Sequence, residues 1–143
     1  MMPNQKQSRR SKGNSGEIYA SLLLAKDGYS ILCKNYTFPG GEVDIIATKG
    51  NIICFVEVKT RSLASGENAA SAVDRPKLQR LKNAIEYFFE EYRDNVYVQS
   101  LTPRIDIMEI YTGKGTVKKH NHITASIGLS RNVLCGNISD AHS

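Results

Sequence analysis

The spacing of apolar and polar positions predicts two helices and five strands along this chain. Apolar residues lie on most sides of residues 14–28, which is typical of a well-buried helix, and Gly28 is a suitable C-terminal cap. Between residues 74 and 92 the apolar positions recur every three or four residues, which indicates a second helix. The strand-like segments are residues 29–36, 42–48, 52–59, 103–111 and 116–123. This order predicts the α/β class, with an α-β-β-β-α-β arrangement, a further strand, and a mixed sheet flanked by helices.

The segments outside these elements predict the domain limits. Residues 1–13 are polar and basic and are expected to form a disordered arm, followed by one domain over residues 14–127. Residues 128–143 have no periodic pattern and are expected to form a loose tail. Residues 60–73 are small and polar, which predicts a mobile loop.

The composition is that of an ordinary globular domain. Hydrophobic residues make up 41% and charged residues 23% of the 143 positions. No apolar run approaches the roughly 18 residues of a membrane span, and no signal-peptide core follows the N-terminus. Cys33, Cys54 and Cys135 form no C-x-x-C pair, so we expect reduced thiols, no zinc site and a cytoplasmic location.

The net charge of +5 arises mostly in the predicted arm. Removing its four basic residues from the total of 19 leaves 15 against 14 acidic residues; the four are Lys6, Arg9, Arg10 and Lys12. The domain itself is therefore nearly neutral, and charge alone does not identify a nucleic-acid-binding protein.

Candidate chemistry lies in the hairpin formed by the second and third strands. Side chains alternate between the faces of a strand, so Glu57 and Lys59 share one face with Phe55. A turn at Gly50-Asn51 places Asp44 opposite Glu57, and a turn at Lys49-Gly50 places it diagonally. Either register brings the two carboxylates to about 5–8 Å at Cβ, whereas a three-residue loop would separate them. A hard cation such as Mg²⁺ would relieve their repulsion; a solvated ladder of charges is the alternative.

The ordered motifs of the chain resemble a known family. The signature Asp44, then Glu57-Val58-Lys59, is similar to that of the PD-(D/E)-x-K nuclease superfamily. The wider set resembles the YraN family of uncharacterised bacterial proteins, which has a restriction-endonuclease-like fold related to Holliday-junction resolvases. The motifs that carry this resemblance are Gly16-Glu17 with Ala20, Gly28-Tyr29, Asn35-Tyr36, Gly41–Ile46, Phe55–Lys59 with Arg61, Ala72–Asp74 with Lys77, Arg80-Leu81 and Arg104–Asp106. The chain departs from the family at Thr37, where a basic residue is usual.

This resemblance implies an endonuclease that uses Mg²⁺ or Mn²⁺ on DNA, with branched or structured DNA among its substrates. Asp44 and Glu57 would hold the cation, and Lys59 would orient a water or stabilise charge on the phosphate. Glu17 would lie near the metal, although a helix-capping role is an equal alternative. Arg61 and the arm residues Arg9, Arg10 and Lys12 would contact phosphates, and a homodimer is implied by analogy. The alternatives are a non-catalytic nucleic-acid-binding module and a protein-interaction module on the same fold.

Three further features are given structural interpretations. Asp106 is predicted to be a core aspartate paired with a cation such as Arg104 or Arg80. His120 and His122 share one strand face and are predicted to be surface residues. The segment 113–116 lacks the full spacing of a phosphate-binding loop and predicts a hairpin turn.

Overall fold

A computed structural model describes residues 15–63 and 75–126 of the chain. These residues form α1 (Ser15–Lys26), β1 (Ser30–Phe38), β2 (Gly41–Lys49), β3 (Ile52–Ser62), α2 (Arg75–Glu91), α3 (Val96–Gln99), β4 (Thr102–Gly113) and β5 (Thr116–Ser126). The predicted order of helices and strands is confirmed. The predicted basic arm, most of the predicted mobile loop and the predicted tail lie outside the described residues.

The sheet has five strands in the order β1-β2-β3-β4-β5. Strands β3 and β4 are parallel, and the other neighbouring pairs are antiparallel, so the predicted mixed sheet is confirmed. A parallel pair needs a crossover connection, and α2 lies within it. The one-turn helix α3 was not predicted, because four residues are too few to show a helical period. Asn95 caps this helix by accepting a hydrogen bond from the Val98 N–H at 3.0 Å.

Helices cover the sheet on both faces and create two cores. The core on the α2 side includes Phe55, Ile85 and Phe88, and the core on the α1 side includes Leu24 and Val56. This double coverage explains why β3 is apolar at nearly every position of its first half, where both faces are buried. The opposite placement of Phe55 and Val56 also confirms the predicted alternation.

Helix α1 is less buried than predicted. It contacts the sheet through a narrow stripe that includes Gly16, Ala20 and Leu24, which recur every four residues. Ile18 and Leu22, on other sides of the helix, are 53% and 64% exposed. Small residues allow close approach along one side, so Ile18 and Leu22 face outward, whereas Tyr19 and Leu23 are partly buried against the core. No helix in the described part of the chain is long and apolar enough to cross a membrane.

Candidate functional site

The hairpin between β2 and β3 has one of the two predicted registers. The paired residues run from Lys49 opposite Ile52 to Ile45 opposite Val56, which leaves Gly50-Asn51 as the turn. Gly50 has a φ of +61°, a backbone conformation in which glycine carries no steric penalty. The same register, continued by one step, places Asp44 opposite Glu57. This is the register in which the sequence predicts that Asp44 faces Glu57.

The sheet is distorted at Asp44. Strands β1 and β2 pair on either side of Asn35 and Asp44 but not at these two residues, and Asn35 has a φ of +54°. Asparagine tolerates this left-handed conformation better than most residues. Both Val43 and Ile46 belong to the core on the α2 side, which regular alternation between faces does not allow. The alternation is therefore interrupted at the position where the candidate carboxylate lies.

The Asp44 side chain compensates for the lost strand pairing. Its Oδ2 accepts a hydrogen bond from the Val58 N–H at 2.8 Å, beyond the last paired residues of β2 and β3. The Asp44 carboxylate thus lies against β3 at the peptide that joins Glu57 to Val58. Asp44 is only 8% exposed, so its charge lies in a largely water-excluded part of the sheet.

Glu57 binds two cationic side chains of α2. Its Oε1 accepts a hydrogen bond from Arg80 Nη2 at 3.0 Å, and its Oε2 is 3.5 Å from Lys77 Nζ. Lys77 and Arg80 are three residues apart and so share one side of the first turns of α2. A Cβ on Gly41 would lie 3.1 Å from Arg80 Cδ, which shows how closely Arg80 crosses the start of β2. Sequence reasoning quoted both cations as motif residues but did not predict their contact with Glu57.

Lys59 lies beside Lys77. Burial lowers the pKa of Lys77, the neighbouring Lys59 lowers it further, and Glu57 acts in the opposite direction. Two ammonium groups are therefore held close together next to one carboxylate. Such a pair favours an additional anion, because each ammonium repels the other.

Glu109 is a buried acid that sequence reasoning missed. It is 1% exposed and lies opposite Lys59 in the parallel register of β3 and β4. Its Oε1 accepts hydrogen bonds from the Tyr111 hydroxyl and Asn121 Nδ2, both at 3.2 Å. Its Oε2 is buried and has no hydrogen-bond partner among the described residues. The signal was present in the chain, because Glu109 interrupts the buried, apolar run of β4.

Glu17 approaches the same region from α1. A Cβ on Gly16 would lie 2.2 Å from Thr60 Oγ1, so the start of α1 lies directly on the end of β3. Glu17 Oε1 accepts a hydrogen bond from Asn35 Nδ2 at 3.4 Å, and Asn35 adjoins the distortion at Asp44. The alternative capping role of Glu17 involves Asn14, which lies outside the described residues.

The remaining predicted residues are only partly described. Arg61 lies in β3 two residues beyond Lys59 and is partly buried, whereas Arg9, Arg10 and Lys12 lie outside the described residues. Within residues 15–63 and 75–126, no three His, Cys, Asp or Glu side chains are grouped closely enough to hold a metal ion. The magnesium site therefore stays a prediction.

A second polar cluster lies on the α1 side of the sheet. Arg104 donates to both carboxylate oxygens of Asp106 at 2.7 Å, which confirms the predicted pairing; Arg80 is not its partner. His122 Nε2 also lies 2.7 Å from Asp106 Oδ2. The surface prediction is therefore wrong for His122, whose side chain is only 23% exposed, but His120 is exposed. Burial raises the pKa of Asp106, but Arg104 and His122 outweigh it, and the net pKa is below the usual value.

The fold and the charged cluster define a small α/β domain with a mixed sheet and a group of charged side chains at a distorted hairpin. Residues 16–110 match the model of the uncharacterised protein family UPF0102, and the chain belongs to this family. The resemblance to the YraN family is thereby confirmed. All the described residues of the candidate site, from Glu17 to Glu109, fall within the matched region.

Relatives from several bacteria support this membership. A UPF0102 protein of Caldicellulosiruptor saccharolyticus is 40% identical over 104 residues, covering 73% of this chain and 85% of that protein. A UPF0102 protein of Caldanaerobacter subterraneus subsp. tengcongensis is 37% identical over 121 residues, covering 83% and 96%. A UPF0102 protein of Clostridium perfringens strain 13 is 40% identical over 106 residues, covering 73% and 83%. The shared name assigns no activity to any of them.

Proposed function

We propose that this protein is a Mg²⁺-dependent endonuclease that acts on DNA, with branched or structured DNA as its substrate class. One observation carries the proposal: Asp44, one step beyond the last pair of the β2–β3 register, accepts a hydrogen bond at Oδ2 from the Val58 N–H, between Glu57 and Lys59. Asp44 thus lies against the stretch of β3 that carries Glu57 and Lys59, next to an interruption of the sheet. The motif resemblance supplies the reaction class, which the geometry alone does not specify.

The donor atoms at this position fit Mg²⁺, which prefers carboxylate oxygens and keeps several water ligands. Asp44 and Glu57 would hold the ion, with Glu17 further out. When bound, Mg²⁺ would stabilise charge on the phosphodiester and increase the acidity of an attacking water. Glu57 is held by Lys77 at Oε2, so binding of the ion requires that this contact be released or shared.

The lysines and Arg80 have a role that follows from their charge. Lys59 and Lys77 lie beside each other, and a phosphate group would relieve their mutual repulsion. Lys59 would stabilise the charge that builds on phosphate oxygens during cleavage. Arg80, which donates to Glu57 Oε1, would keep that carboxylate oriented toward the first turns of α2.

A non-catalytic nucleic-acid-binding module is the second candidate, and one specific contact favours it. Both oxygens of Glu57 are already engaged by Arg80 and Lys77. A carboxylate neutralised in this way leaves a cluster of three cationic side chains that could bind phosphate groups without cleaving them. The two candidates differ in whether Glu57 serves a metal ion or only positions the cations.

Cleavage assays distinguish the two candidates. The full chain would be incubated with four-way-junction, flap and linear duplex DNA, with Mg²⁺, with Mn²⁺ or with EDTA. We expect metal-dependent cleavage that falls at least about 100-fold in Asp44→Asn, Glu57→Gln and Lys59→Met, since each removes a charged group acting on the reacting phosphate. Lys82→Met, on α2, is the matched control for the loss of one positive charge and should cleave normally.

Two results would decide against the nuclease. Binding without cleavage of any substrate, with affinity lost in Lys59→Met and Lys77→Met but not in Asp44→Asn, would establish the binding module instead. Cleavage that persists in EDTA, or that survives Asp44→Asn, would show that the activity does not use this site. Circular dichroism of every variant would confirm that it is folded.

A further inference from the structure

A cavity of about 440 Å³ lies on the α1 side of the sheet, opposite to the side on which Glu57 meets α2. The end of α1 contributes Leu23 and Lys26, and Asp27 follows them. Strand β4 contributes Met108, and β5 contributes His120 and His122. Cavities of a few hundred cubic ångströms are the usual size of small-molecule sites. This one combines an apolar wall with titratable side chains that the proposed cleavage does not use.

The orientation of His122 is set by a buried carboxylate. Its Nε2 lies 2.7 Å from Oδ2 of Asp106, which is fully buried and itself clamped by Arg104. Arg104 Nη2 also donates to the Tyr29 hydroxyl at 2.7 Å, so the support extends to the residue before β1. With the Nε2–H of His122 donating to Asp106, Nδ1 is the nitrogen that is left for a ligand, and it donates to a phosphate oxygen when the ring is protonated. A carboxylate that fixes one imidazole nitrogen is a common way to present the other.

The charges around the cavity favour an anion. Asp27 lies 3.7 Å from Lys49, and Asp106 is paired with Arg104, so both acids are already balanced. Lys26 has no ion pair within the described parts of the chain. His120 is exposed and lies beside Tyr19, with ring centroids 6.2 Å apart. Apart from Asp27, which pairs with Lys49, the polar lining consists of one ammonium and two imidazoles, and His122 keeps its contact with Asp106.

A metal ion fits the same walls less well. In the described ranges no group of three His, Cys, Asp or Glu side chains is close enough to coordinate one, and Lys26 would repel it. A phosphate group suits the set better, because ammonium and imidazolium groups both donate to its oxygens. The cavity is far larger than inorganic phosphate, and Leu23 and Met108 would contact an organic part of the ligand.

We propose that this cavity binds a phosphate monoester on a small organic body, of the nucleotide class, through Lys26, His120 and His122. The ligand could be a free nucleotide or the terminal phosphate of a nucleic-acid strand, because both present the same group. The proposal does not depend on cleavage at Asp44 and Glu57, which lie at a different place in the sheet.

The test is a titration of the ¹⁵N-labelled full chain, followed through its imidazole ¹H–¹⁵N signals. The measurements would be made at pH 6 and again at pH 8. The ligands would be inorganic phosphate, deoxythymidine monophosphate, and one oligonucleotide with and without a 5′-phosphate. We expect saturable shifts of the His120 and His122 signals, with the monophosphate binding more tightly than inorganic phosphate. A preference for the 5′-phosphorylated oligonucleotide over the monophosphate would identify a strand end as the source.

Variants separate this site from general charge effects. Lys26→Met and His120→Gln, both at exposed positions, should each weaken binding by about tenfold or more, as the loss of a hydrogen bond to a charged group predicts. Lys118→Met, an exposed change on β5, is the control and should bind normally. The proposal is wrong if no phosphate compound shifts these imidazoles, or if Lys26→Met and His120→Gln bind like the control. It is also wrong if Zn²⁺ or Ni²⁺ alone saturates the imidazoles while the phosphate compounds do not.

Discussion

The contact between α1 and β3 leads to a quantitative prediction about Gly16. A Cβ at this position would lie 2.2 Å from Thr60 Oγ1, far inside any normal contact, while the next nearest atom, Thr60 Cβ, would be at 3.5 Å. Replacing Gly16 with alanine therefore forces α1 or the Thr60 side chain to move. Overpacking of this kind costs about 1–3 kcal/mol. The better helix propensity of alanine returns at most about 1 kcal/mol.

We expect Gly16→Ala to lower the free energy of unfolding by about 1–2 kcal/mol, the middle of the roughly 0–3 kcal/mol that these two opposing effects allow. The chain has no tryptophan, so urea unfolding would be followed by far-ultraviolet circular dichroism. With a urea dependence of about 2 kcal/mol per molar, the midpoint should fall by about 0.5–1 M. Because Glu17 adjoins Gly16, any cleavage activity should fall as well.

A double-mutant cycle tests the stated cause. Thr60→Ala removes Oγ1, so adding Gly16→Ala in that background should leave stability unchanged or raise it by up to about 1 kcal/mol. The coupling between the two changes should then be about 2 kcal/mol, within the range for residues in contact. A coupling below about 0.5 kcal/mol would refute the steric explanation, because the penalty would then be independent of Thr60.

Three other substitutions or treatments have definite expected results. Asp106→Asn should lower the free energy of unfolding by about 3 kcal/mol at neutral pH, because Arg104 loses its buried partner. Since the pKa of Asp106 is lowered in the folded state, this loss of stability should shrink once the pH falls below about 4. A loss that stays constant down to pH 3 would contradict the assignment. Burial raises the pKa of Cys33 to about 11 and that of Cys54 to about 12, so iodoacetamide at pH 8 should label neither thiol until urea unfolds the protein, as mass spectrometry of the peptides would show. Glu109→Gln removes a buried charge whose Oε2 has no hydrogen-bond partner among the described residues, so the urea midpoint should stay or rise; a clear fall would mean that a cation holds this carboxylate.

Local periodicity was sufficient to predict the elements of this fold, except for the one-turn helix α3. The helical period of residues 74–92 and the alternation in β3 are properties of short segments, and both appear in the structure at nearly the predicted bounds. Local reasoning also limited the β2–β3 hairpin to two registers. Both place Asp44 and Glu57 on one face, because an even loop length keeps the two side chains on the same side of the sheet. Cysteine spacing and composition likewise constrained the chemistry without any knowledge of the fold.

The tertiary structure decided which side chains meet. The crossover helix α2 brings Lys77 and Arg80 onto Glu57, and this contact depends on how the helix crosses the sheet rather than on any spacing in the chain. His122 was predicted to be a surface residue because alternation cannot tell which strand face is covered; helix α1 and Asp106 cover it. The sequence therefore determined the helices, the strands and the candidate acids. Long-range contacts determined the partners of those acids, because ion pairs and burial arise only once the helices have packed on the sheet.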